Sequence, residues 1–294
     1  MIFSKMFSHD VDCGIRRKWM FFLVLAAAVL VFCREYYGII YASLFNGETD
    51  QRATWMNYLI FLFQGMEEYI PSPDNPFVFP AMWILIFLYA AYKALGYPFD
   101  DLTAYGQQIL VRSGGRKGWW FSKCLWNVCS AFLYFIIIDL VVAAFCICEG
   151  VPLTADFSGE LAGILLKTSA PLQESEVVFY TLLLPPLVSA AINMLQMFLG
   201  LFLKPMLSFC VTSGLLILSA YFKSALAIGN YAMILRGSIV LEDGVQIGTG
   251  IILLIAIILF SALGGEYYFR RHDILIFRYW KKFVMRFTQL KRGC

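Results

Sequence analysis

Charged side chains are scarce in this sequence: they make up 15% of 294 residues, where a soluble domain carries roughly a quarter. Histidine is scarcer still. His9 and His272 are the only two and both lie near the termini, so no histidine-based metal site or catalytic dyad is evident. No G-x-x-x-x-G-K-[ST] phosphate loop occurs; Gly114-Gly115-Arg116-Lys117-Gly118 has the composition but not the spacing. The eight cysteines include no C-x-x-C pair, and Cys146 and Cys148 are too close in sequence to bridge easily, so they are read as small apolar filler. The net charge of +3 is too small to argue for a nucleic-acid partner. These absences leave no ATPase, hydrolase or metal chemistry to assign to the chain, and no cofactor.

What is abundant is apolar surface. Hydrophobic residues reach 60% and aromatics 17%, more than one soluble core could hide. Six segments are long enough to cross a bilayer, at about 20 mostly apolar residues for a hydrocarbon core of roughly 30 Å. They lie at about 19–45, 77–95, 124–148, 177–203, 206–222 and 248–264. The expected fold is therefore an all-α polytopic membrane protein, residues 1–294 forming a single transmembrane domain. Open strands would leave backbone groups unpaired in lipid. The continuous apolar runs also lack the alternation of a β-barrel. The first segment has the basic flank of a signal peptide, but no small-x-small site follows, so an uncleaved span is expected. Residues 1–7 mix apolar and basic side chains and allow a short interfacial helix before it, without a clear signature of one.

Lysine and arginine set the orientation. With both termini cytoplasmic, seventeen basic residues fall inside and five outside, namely Arg34, Arg52, Lys167, Lys223 and Arg236. Lys93 is placed to snorkel to the cytoplasmic interface. The loops are unequal. Lys204-Pro205 breaks spans four and five into a tight hairpin. The long loop 46–76 has an apolar middle, 55–64, suited to an interfacial helix. Loop 151–176 is rich in turn residues. Segment 223–247 is too polar for a span and too apolar for a free loop, so a re-entrant or surface-lying element fits. Glu67-Glu68 has the look of paired-glutamate membrane proteases, but their partner histidines and arginine do not follow.

One internal cytoplasmic stretch, 105–123, is basic and aromatic together. As an ordinary positive-inside loop it would use Trp119 and Trp120 as interfacial anchors. Alternatively Ile109, Leu110 and the aromatics dock in a partner's groove while Arg112, Arg116 and Lys117 pair with acidic groups there. The run Ile109-Leu-Val-Arg-Ser-Gly-Gly-Arg-Lys-Gly-Trp-Trp-Phe-Ser-Lys123 resembles the first cytoplasmic loop of the second class of ATP-binding-cassette (ABC) export permeases, in their divergent bacterial form. Ile228-Gly-Asn-Tyr-Ala-Met-Ile-Leu-Arg236 resembles a stretch before the last span of the same proteins, and the six-span layout matches their plan. The resemblance implies a multi-pass permease subunit of a bacterial cell membrane, without catalysis of its own. It further implies a second permease copy or homologue, and a separate ABC ATPase subunit that carries ATP and Mg. On that basis Arg112, Ser113, Gly114, Gly115, Arg116, Lys117, Trp119 and Trp120 are the candidate ATPase-coupling residues. Asp139, the one acid well inside a span, either pairs within the bundle, lines a path or reaches outer headgroups, with Asn193 its natural polar partner. An ion-coupled secondary transporter using Asp139 and a non-transporting assembly or immunity protein are the competing expectations.

Overall fold

A computed structural model describes residues 2–47, 51–71, 77–102, 116–166 and 172–271. Among these the chain is helical, with no strand and one isolated bridge between Gly237 and Val245. Helix α1 is Ile2–Gly14, and a short 3-10 turn, Arg16–Lys18, leads into α2, Met20–Phe45. Then come α3, Trp55–Phe63; α4, Ala81–Ala94; α5, Tyr97–Leu102; and α6, Arg116–Cys148. They are followed by α7, Gly159–Leu166; α8, Glu174–Leu199; α9, Pro205–Tyr221; and α10, Ile247–Arg271.

Five helical stretches are long and apolar enough to cross a membrane: α2, Ala81–Asp100 (α4 continued through α5), α6, α8 and α10. The fifth expected span, α9, has 17 residues, about 25 Å of helix and near the lower limit for a crossing. Burial runs opposite to that of a soluble bundle. Helix α10 turns Ile252, Leu259, Phe260 and Leu263 outward, and α2 does the same with Leu23, Val24 and Val31. Central α8 buries most of its length. Its entry is a wide π-turn, Phe179–Leu183, because Pro185 and Pro186 follow and can donate no backbone hydrogen.

The structure redraws four sequence expectations and fills in a fifth. Helix α6 starts at Arg116 rather than at 124, so residues 116–123 are helix and not loop. Hydropathy misses them because Arg116, Lys117 and Lys123 are polar, yet arginine and lysine are good helix formers. The apolar stretch expected to lie at an interface is α3, and Met56 through Phe63 are all buried. A capping box of Thr54 and Asn57 starts this helix, and the Asn57 amide is bonded to both the N–H and the carbonyl of Ser158. Tyr58 meets Phe145 and Phe63 meets Phe135, so α3 descends along α6 by roughly 15 Å into the bundle. The turn-rich loop contains α7, packed on α3. Lys93 turns inward rather than snorkelling: its Nζ donates to the Ser130 carbonyl at 3.5 Å and lies 4.5 Å from the Phe22 ring centroid. The segment between α9 and α10 is embedded, with residues 228–237 buried in two 3-10 turns.

Candidate functional site

The end of the bundle that carries α1, Arg116 and Arg270 is basic, and there two helices are fastened to the start of α6. On one side α6 meets α10. Trp120 is 1% exposed and its Nε1 donates to the Ala262 carbonyl at 2.8 Å. Trp119 stacks on Phe269 with centroids 5.1 Å apart. Gly265 makes this approach possible, since a Cβ there would sit 2.0 Å from Trp120 Cζ2. At the rim, Lys117 stands 3.8 Å from Glu266, and Arg116 Nη1 donates to the Arg270 carbonyl at 3.2 Å.

On the other side α6 meets α1. Met6, Asp10 and Gly14 recur every four residues, one face of a helix, and all three are buried. Gly14 lies against the indole of Trp126. Asp10 is buried and accepts from the Lys123 ammonium, from Ser122 Oγ at 2.6 Å and from the Tyr97 hydroxyl at 3.0 Å. The Lys123 ammonium is flanked by the rings of Tyr97 and Trp119 at 4.6 and 5.2 Å. The lysine and aspartate side chains are 1% and 3% exposed, so this is a buried ion pair with its remaining valences filled. Close by, burial lowers the pKa of Lys18, opposed by the carboxylate of Asp100.

Of the sequence-predicted coupling residues, Arg112, Ser113, Gly114 and Gly115 lie outside the described residues. Trp119 and Trp120 belong to the chain's own packing, whereas Lys117 presents an exposed side chain. Asp139 and Asn193 sit on the mutually packed helices α6 and α8, but no hydrogen bond joins them. Asn193 Nδ2 reaches only Ser189 Oγ at 3.5 Å, and Asp139 Oδ1 and Asn193 Oδ1 are buried without a partner among the described residues. Asp139 is one turn beyond Phe135, which touches Phe63 and Phe87, and nine residues, about 14 Å, before the end of α6.

Two functional candidates escaped the sequence. Asp10 carried a weak signal, the four-residue spacing of Met6, Asp10 and Gly14 in a segment too short for a span. Arg236 carried a stronger one, a lone cation in an apolar stretch. Among the described residues no group of three or more His, Cys, Asp or Glu could hold a metal, and the described cysteines are free. Residues 39–275 match a family described as a protein of unknown function (DUF2705). No curated protein matches the chain, and neither does any solved structure.

Proposed function

The chain belongs to the DUF2705 family, and we propose that it is the membrane-spanning permease subunit of an ABC transporter of export type, powered by a separate ATPase subunit. The observation that carries this reading is the junction at the basic end. The stretch bearing the family resemblance ends in the first turns of α6, which are clamped to α1 through Asp10 and to α10 through Trp120. A partner that pulls on the start of α6 therefore moves three helices together, and helix packings of this kind switch between discrete arrangements. ATP and Mg belong to the partner, and this chain performs no covalent chemistry. A second copy or homologue completes the pair. In this reading α9 is the fifth of six crossings, and the basic end with both termini is cytoplasmic.

Two experiments address it. First, a gene-neighbour ATPase is co-purified with the wild type and with Arg116→Glu, Lys117→Glu. At about 1–3 kcal/mol per reversed contact against an acidic surface, ATPase stimulation falls roughly tenfold or more at normal membrane level. Lys117 also faces Glu266, so Lys117→Glu with Glu266→Lys is the control, because it restores the internal pair but not the outward charge. Wild-type stimulation in the charge-reversed variant sinks the coupling assignment. Second, on a cysteine-free background, single cysteines at 50 and 243 react with an impermeant reagent from outside, and one at 114 does not. External reaction at 114 inverts the orientation.

A second reading is favoured by one observation, the partnerless Oδ1 of Asp139. In an ion-coupled secondary transporter that carboxylate would take the ion. Transport by the purified chain alone under an ion gradient selects this reading over the first.

A further inference from the structure

At the end opposite the basic junction, one cation is buried with no carboxylate bonded to it among the described residues. Arg236 is 0% exposed, and the described acceptors of its guanidinium are neutral oxygens. Nη1 donates to the carbonyls of Ser219 (2.6 Å) and Phe222 (2.9 Å) and to Asn230 Oδ1 (2.8 Å). Nη2 donates to the carbonyls of Ala220 (2.5 Å) and Glu67 (3.2 Å), and Nε to that of Met66 (3.2 Å). Asn230 is oriented for this, since its own amide donates to the carbonyls of Phe222 and Ser224.

The origin of those oxygens matters. Ser219 and Ala220 are in the last turn of α9 and Phe222 is its C-cap, where carbonyls run out of helical donors. Met66 and Glu67 follow the C-terminal end of α3, which turns at Gly65 in the left-handed conformation, φ 72°. Immediately before that turn, the Gln64 carbonyl accepts from the Leu235 N–H. Two helices thus bring their negative dipole ends to one buried point. Converging carbonyls and half-helix C-termini are how membrane proteins hold small cations.

We propose that the C-terminal ends of α3 and α9 build a monovalent-cation site, and that the guanidinium of Arg236 is its permanently tethered occupant. The packing of residues 228–237 against the end of α3 is thereby held without any dissolved ion. The planar fork suits this task, because its five donors reach both helix ends at once, whereas a lysine offers three from one point. Burial pulls the pKa of Arg236 down to about 10, against the opposing pull of nearby Glu68, so the group stays charged at neutral pH. The rim repeats the connection: Lys223, just beyond α9, bonds both Glu68 (2.5 Å) and Asp243 (2.6 Å). None of this depends on an ATPase driving the chain.

The test uses the full-length chain purified in detergent. The wild type is expected to unfold at the same temperature in sodium, potassium and choline chloride of equal strength. Arg236→Gly lowers that temperature by roughly 10 °C. Guanidinium chloride, added at about 10 mM and far below denaturing concentration, restores at least half of the loss, as a ligand that binds only the folded state must. Arg236→Lys, which keeps the charge, covers the test if the glycine variant does not accumulate. It should unfold between wild type and Arg236→Gly, or below wild type alone where the latter is missing, with a cysteine at buried position 232 becoming reactive on a background without the native cysteines. A sodium-dependent wild type, no rescue by guanidinium, or an Arg236→Lys variant as stable and as protected at 232 as the wild-type side chain would each overturn the proposal.

Discussion

Lys123→Met is expected to lower the unfolding temperature of the purified chain sharply and to release α1 from the bundle. The substitution keeps the length and apolar stem of the side chain but leaves the buried Asp10 carboxylate without a cation. Only Ser122 and Tyr97 would still donate to it. Breaking a buried pair from one side costs about 3–5 kcal/mol, most of it the uncompensated charge that remains. Replacing both partners, Asp10→Leu with Lys123→Met, removes that charge and should recover most of the loss, since an apolar pair of similar volume is often neutral. Calorimetry measures the stability. Trypsin cleavage at exposed Arg16 and Arg17 reports whether α1 has come away. A double variant as unstable as the single one would show that Asp10 and Lys123 act separately and that the pair is not what holds α1.

Gly265→Val is the second large effect. The added Cβ would stand 2.0 Å from Trp120 Cζ2, so one of the two must move. The indole has little room to retreat, because its Nε1 is bonded to Ala262 and it is buried in one cluster with Met194, Met197 and Phe269. Overpacking of this kind costs about 3 kcal/mol, and here it prises the start of α6 from α10. A cycle on a milder pair isolates the contact. Gly265→Ala and Trp120→Phe should each destabilise alone, yet the double variant should be more stable than their sum implies, because the smaller ring vacates the space the methyl needs. Additive effects would mean that the two residues do not bear on one another. In the co-purification assay, Gly265→Val should also lose ATPase stimulation if α10 belongs to the coupled unit.

How much of this was legible in the sequence differs from one element to the next. The positions of α2, α8 and α9 and the start of α10 were visible to within a few residues, and so was the proline-initiated hairpin, but α10 runs seven residues past the expected end to Arg271. The buried nature of α3 was not. A short apolar run bounded by polar residues looks the same whether it lies on a surface or inside a bundle, and only the bonds from Thr54 and Asn57 to residues 156 and 158 place it. Trp119 and Trp120 posed the same ambiguity. A tryptophan that anchors a helix at a headgroup and one wedged against a neighbouring glycine have identical local sequence, and Gly265 is far along the chain.

Composition and hydropathy by themselves determined that this is a helical protein with apolar segments of membrane-crossing length. The free energy of placing about 20 consecutive residues in lipid is a local sum and needs no knowledge of the fold. Tertiary structure alone decided which charges are buried and what meets them. Asp10 finds Lys123 across 113 positions, and Arg236 reaches Met66 across 170. A buried charge is tolerated only where several partners converge in space. Convergence of that kind is a property of how helices pack, and no window along the chain contains it.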